Sequence, residues 1–112
     1  MLEIIPLTAL KDNYIWMLIN KINQCVAIVD PSEQEPVLEY VQSKNLNPIA
    51  ILITHHHWDH VGGITGLTKK YNIPVYTPEK EFVEGSTNPV SERDIISLPE
   101  LDLEINILDV PG

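Results

Sequence analysis

Cysteine occurs once, at Cys25, so no internal disulfide can form and a secreted cysteine framework is excluded. Basic residues are scarce. Seven Lys and Arg, scattered from Lys11 to Arg93, stand against sixteen Asp and Glu and leave a net charge of −9. Affinity for polynucleotides comes from grouped Lys and Arg, so a nucleic-acid partner is disfavoured. No apolar run approaches the roughly 18 residues that a membrane-spanning helix needs. The first residues, Met1-Leu2-Glu3-Ile4-Ile5-Pro6, lack the positive n-region and long apolar stretch of a signal peptide. Repeats and low-complexity segments are absent as well. The expectation is a soluble, cytoplasmic protein without a membrane partner.

What is present is ordinary globular composition, 44% hydrophobic and 21% charged, in 112 residues that suffice for one small domain. Leu2 to Leu7 reads as a strand, followed by a turn at Lys11-Asp12-Asn13. Tyr14 to Ile19 and Cys25 to Val29 read as an antiparallel pair joined through Asn20 to Gln24 and ended by Asp30-Pro31. Cys25 lies in an apolar run and reads as a small buried hydrophobe, not a nucleophile. Tyr14 and Trp16, in alternating apolar context, read as core packing.

Ser32 with Glu35 offers a capping box, Pro36 fits only a first helical turn, and Val37, Leu38 and Val41 form an apolar stripe. Asn45 to Pro48 stops that helix. Ile49 to Ile53 is apolar throughout, as in a strand covered on both faces. Val61, Ile64, Leu67 and Tyr71 recur at helical spacing, with Lys69 and Lys70 in the last turn. Ile73 to Thr77, Asp94 to Leu98 and Leu103 to Val110 read as further strands, and Glu79 to Ser91 as loop. A mixed sheet with helices packed against it follows.

All four histidines fall in the run Thr54-His55-His56-His57-Trp58-Asp59-His60, where the buried strand ends. In extended backbone His55 and His57 project to one side and can share a cation, while His56 faces away and reads as structural. Asp59 and His60 lie where the chain turns into the next helix and can address a second place nearby. Trp58 reads as packing, and Thr54 as a hydrogen-bonding brace for the loop. Nitrogen ligands with a carboxylate suit Zn²⁺, and also Fe or Mn. Two neighbouring cations of this kind polarise a carbonyl and bring the pKa of a bound water to about 7. The run is internal and interrupted, unlike a purification tag.

The pattern Thr-His-x-His-x-Asp-His resembles the signature of the metallo-β-lactamase superfamily, whose fold is a four-layer αββα sandwich. The stretch Ile51 to Gly63, with Lys11-Asp12-Asn13-Tyr14-Ile15-Trp16, Val29-Asp30-Pro31 and Glu35-Pro36-Val37, is similar to the hydroxyacylglutathione hydrolase (glyoxalase II) family. The resemblance implies an α/β (α+β) fold. The chain is expected to be the N-terminal half of the sandwich: a mixed, largely antiparallel sheet with helices on one side. It implies that His55 and His57 bind one metal and that Asp59 and His60 bind a second; to Asp59 we assign a second role as well, steering the proton of the nucleophilic water.

The implied reaction is hydrolysis of an S-(2-hydroxyacyl)glutathione thioester, such as S-lactoylglutathione, by metal-bound hydroxide. A thiol, with a pKa of about 8.5, leaves without much general-acid help. The family's remaining ligands, a histidine after a Pro-Gly turn, a bridging aspartate and a last histidine, have no counterpart before Pro111-Gly112. Asp102 and Asp109 are candidates by residue type alone. The expectations are a missing C-terminal half, an isolated chain of weak or no activity, and self-association through exposed sheet surface. A lactonase, β-lactamase or persulfide dioxygenase of the same superfamily, or a non-catalytic metal-binding remnant, are the rival readings.

Overall fold

Alternation of apolar side chains along the first three strands decides which face of the sheet each residue serves. In the computed structural model, which describes residues 2–9, 13–54, 63–78, 85–91 and 94–106, β1 (Leu2–Ala9) pairs antiparallel with β2 (Asn13–Asn20), and β2 with β3 (Cys25–Val29). The β2–β3 turn is tightened by local polar groups. Asn20 Oδ1 accepts from the Ile22 amide at 2.9 Å, Asn23 Oδ1 accepts from the Cys25 amide at 3.0 Å, and Gln24 sits at φ 64°.

From β3 onward the chain crosses over through helices, and a crossover returns a strand parallel to its neighbour. Helix α1 (Gln34–Lys44) links β3 to β4 (Asn47–Leu52), and α2 (Ile64–Tyr71) links β4 to β5 (Val75–Pro78). A short β6 (Asn88–Val90) completes a sheet of order β1-β2-β3-β4-β5-β6. The pairings β3–β4, β4–β5 and β5–β6 are parallel. The sheet is thus mixed, as expected: β1–β2 and β2–β3 are antiparallel, and the two helical crossovers add the parallel pairs β3–β4 and β4–β5. β6 also lies within the stretch read as loop. It is only three residues long and exposed at its start, so it carries no alternation to read. A separate hairpin of β7 (Ile95–Leu98) and β8 (Leu103–Asn106), joined by a 3-10 turn at Pro99–Leu101, begins a second sheet.

The α1 start departs from the capping-box expectation. Glu33, in extended conformation, takes the N-cap position without a side-chain bond, so Ser32 lies one residue outside the helix. Pro36 does fall in the first turn. The C-terminus closes at Asn45, φ 55°: its amide donates to Gln42 O at 3.3 Å, and the Leu46 amide donates to Val41 O at 2.9 Å.

Two apolar layers result. On one face Ile15, Met17, Val26, Ile28, Ile51 and Val75 meet Val37 and Val41 of α1 and Ile64 and Leu67 of α2. On the other face Cys25, Ala27, Ala50 and Leu52 meet Ile96, Leu98 and Leu101 of the second sheet. β4 supplies both layers, which is why its sequence is apolar without alternation. The second sheet is also held by polar bonds, since Asn20 Nδ2 and Asn23 Nδ2 both donate to Glu100 O, at 3.1 and 2.7 Å.

Helix α2 is seated at its first turn, where the Gly63 amide donates to Pro31 O at 2.7 Å. A Cβ at Gly63 would lie 2.8 Å from Pro31 O and 2.8 Å from the Glu33 carbonyl carbon, both backbone atoms, so only glycine allows this approach.

Three substitutions test this packing. Ile51→Ala, at a fully buried position between the layers, is expected to cost about 2–5 kcal/mol in urea unfolding. Ile95→Ala, at a position 59% exposed, should change stability by no more than about 0.5 kcal/mol. Gly63→Ala should destabilise by about 1–3 kcal/mol, since backbone must move to admit the methyl.

Candidate metal centre

Strands β3 and β4 run parallel, with a register shift between Val26 and Ala27 and with Val29 opposite Leu52, so their C-terminal ends reach the same edge of the sheet. The Asp30 amide continues the ladder to Leu52 O at 2.9 Å, and the Ile53 amide donates to Tyr76 O at 2.9 Å. Thr54 follows at this edge, and α2 begins at Ile64 with Gly63 before it. Crevices beyond the carboxyl ends of parallel strands are where α/β sheets bind ligands. The predicted ligands His55, His57, Asp59 and His60 lie outside the described residues, as do His56, Trp58 and Val61. What the structure describes is the frame on either side of them.

That frame comes from one short segment. Asp30 is buried and adopts φ 52°, a left-handed conformation that Asp tolerates better than most residues. Its Oδ1 accepts from the Thr54 amide at 2.8 Å and its Oδ2 from Thr54 Oγ1 at 2.6 Å. Both carboxylate oxygens therefore hold the residue at which the histidine run begins. These are charge-assisted bonds, stronger than neutral ones. One residue later, Pro31 O holds Gly63, where the run gives way to helix. Residues 30–33 thus grip both ends of the segment 55–62. Thr54 is the brace that the sequence suggested. Asp30 was read only as a strand terminator, and the signal for its role is an Asp-Pro pair closing the strand parallel to the one that carries the motif.

Ser32 lies within the gripping segment. It is 7% exposed, and its Oγ has no hydrogen-bond partner among the described residues.

Elsewhere the carboxylates serve local structure. Asp94 Oδ2 accepts from the Ser91 amide at 2.8 Å, and Asp102 sits at φ 53° in the turn before β8. Among the described residues no three His, Cys, Asp or Glu come together as a metal site. Asp109 is outside the described residues. Burial raises the Tyr40 phenol above its usual range, with the Glu3 charge adding to it, and burial also raises Tyr71. Both lie on the helices and neither is primed to ionise near neutral pH. Cys25 is buried, as expected, with Asn47 Nδ2 3.8 Å from its sulfur.

Tyr14 and Trp16 correct the expectation of core packing. They are 53% and 41% exposed, with ring centroids 5.9 Å apart and planes tilted by 40°. They point away from the helical layer, and the described second sheet packs on β3 and β4. Leu2 and Ile4 on β1 are exposed as well. Among the described residues, no helix is long and apolar enough to cross a membrane.

Comparison with known proteins places this frame in a family. The model of the metallo-beta-lactamase superfamily matches residues 14–110. A hydroxyacylglutathione hydrolase of Nitrosomonas eutropha is 48% identical over 112 residues, covering 100% of this chain and 43% of that protein. The crystal structure of a metallo-beta-lactamase from Staphylococcus aureus superposes with a TM-score of 0.75 at 16% identity, over 99% of this chain and 35% of that one. The crystal structure of TTHA1623 in a di-iron-bound form gives a TM-score of 0.57 at 32% identity, over 64% of this chain and 36% of that one. The chain spans less than half the length of the curated relatives it matches. By fold and by sequence, the chain belongs to the metallo-beta-lactamase superfamily.

Proposed function

We propose that residues 1–112 are the N-terminal portion of a metallo-β-lactamase-like domain that hydrolyses S-(2-hydroxyacyl)glutathione thioesters, S-lactoylglutathione among them, to glutathione and a 2-hydroxy acid. The observation that carries this reading is identity of 48% across the whole chain to a hydroxyacylglutathione hydrolase. It is supported by the frame around the histidine run, since Thr54 just before it bonds Asp30 and Gly63 just after it bonds Pro31.

In this reading His55 and His57 hold one cation and Asp59 and His60 hold its neighbour, Zn²⁺ by ligand type, with Fe or Mn fitting the same donors. The fit rests on the donor set and on the frame. Two imidazoles at i and i+2 in extended chain share a side, and the run begins from a residue whose backbone and hydroxyl are both tied down. When bound, the cations supply Lewis acidity at the thioester carbonyl and a water acidic enough to ionise near neutral pH. Asp59, besides ligating, takes the role of steering that water's proton. Asp30 fixes where the run starts, and Gly63 fixes where it must end. The departing thiol needs little protonation. The remaining ligands and the glutathione contacts come from outside this chain, so the isolated chain holds metal weakly and turns over poorly.

Three measurements bear on this. In a protein that continues this chain to the length of its relatives, thioester hydrolysis should exceed that of a lactone or a β-lactam, and chelation should abolish it with recovery on adding Zn²⁺. Preference for the β-lactam would overturn the substrate assignment.

Asp30→Ala should destabilise by about 1–3 kcal/mol, by stranding Thr54 and straining a left-handed position, and should weaken metal binding as well. Asp30→Asn keeps an acceptor and tolerates that φ, so it should retain most of both, as read by thermal melts and metal titration.

The exposed Leu2, Ile4, Tyr14 and Trp16 give the isolated chain a surface for self-association. Sedimentation should show concentration-dependent assembly that Trp16→Lys reduces. A monodisperse monomer at high concentration would count against it.

A further inference from the structure

Ser32 is a residue whose chemistry the fold leaves unused. Its hydroxyl is more than nine-tenths buried, without a partner among the described residues. The helix does not take it, since Glu33 holds the N-cap position and no side chain caps α1. A hydroxyl removed from water without a replacement bond is costly, and an apolar residue of the same size would avoid that cost. Its surroundings say where a partner can come from. Asp30 and Pro31, on one side, bind Thr54 and Gly63. Glu33, on the other, presents backbone atoms within 2.8–2.9 Å of the position a Gly63 Cβ would take. Ser32 therefore lies between the residues that fix the two ends of the segment 55–62.

We infer that Ser32 is a positioning residue for the metal half-site, its hydroxyl hydrogen-bonding the ligand-bearing segment in the metal-loaded state. The inference rests on the metal reading above. Metal-ligating side chains, histidines above all, need an outer partner that fixes their orientation, and loss of such a partner costs about 10–100-fold in affinity. The state that carries the cation is the one in which the orphan oxygen gains its bond. The metal-free state is the one in which removing the oxygen is harmless.

The test is a Co²⁺ titration, read by visible absorption and repeated with Zn²⁺ competition, on the 112-residue chain and its Ser32→Ala and His57→Ala variants. Melts of the metal-free proteins accompany it. Ser32→Ala should bind Co²⁺ about 10–100-fold more weakly and show an altered absorption envelope. Its metal-free melting temperature should be unchanged or raised. Unchanged affinity in Ser32→Ala, with binding lost in His57→Ala, overturns the role of Ser32 and leaves the metal reading standing. A lowered metal-free melting temperature in Ser32→Ala also overturns it, because the hydroxyl would then have a partner without metal. Binding by His57→Ala equal to that of the unsubstituted chain overturns the metal reading itself and the inference with it.

Discussion

The carboxylate of Asp30 binds the amide and the hydroxyl of one residue, Thr54, and through that pair the end of β3 dictates where the histidine run leaves β4. Neither strand could set this point alone. A strand end frays unless its last polar groups are satisfied, and here they are satisfied by a buried charge on the neighbouring strand. Pro31 extends the arrangement to Gly63, so the start of α2 is referred to the same short segment. The place of the candidate site is in this sense a property of residues 30–33, which carry none of its proposed ligands.

That segment can hold its position because the layers beneath it are dry and two-sided. β3 alternates, giving Val26 and Ile28 to the helices and Cys25 and Ala27 to the second sheet. β4 gives Ile51 to one side, joined by Ile53 just beyond the strand, and Ala50 and Leu52 to the other. Close packing on both faces makes the two central strands a stiff unit, and register between them is fixed because a one-residue slip would exchange the layers. Val29 opposite Leu52 is the last rung before Asp30 and Thr54, so fixed register brings the carboxylate to its target.

Much of this was legible in the sequence, and the failures have particular physical causes. The apolar stretch after Pro48, the helical spacing of Ile64 and Leu67 and the antiparallel pair before Asp30 were readable because each rests on periodicity over several residues. β6 was not readable, since three residues cannot show a period. The capping box failed at Ser32 because a local pattern of residue types competes with where tertiary contacts set the helix, one residue further on. Tyr14 and Trp16 were assigned to a core by alternation, which identifies a face but not what covers it. For the site, the residue types and their spacing were legible from the run itself. The frame was not, because Asp30 and Thr54 are distant in sequence and only parallel pairing of their strands joins them.

The two sides of the sheet differ in how far they are closed, and this separates what the chain fixes by itself from what it does not. The helical layer covers the inner faces of β2 through β5, whereas the hairpin of β7 and β8 meets chiefly β3 and β4, leaving Tyr14, Trp16 and Ile4 in solvent. The gripping segment lies above the closed portion. Its bonds to Thr54 and Gly63 depend on strands and a helix that pack into the buried layer of the helical face. An anchored segment has already lost the freedom of its ends, so a cation has less left to order than it would in an unanchored chain. Holding the ends does not supply further ligands, however. A metal with only two or three donors from one short run exchanges readily. On the proposed reading, then, the frame sets where the ends of the ligand-bearing run lie, and leaves the strength of metal binding to ligands it does not itself supply.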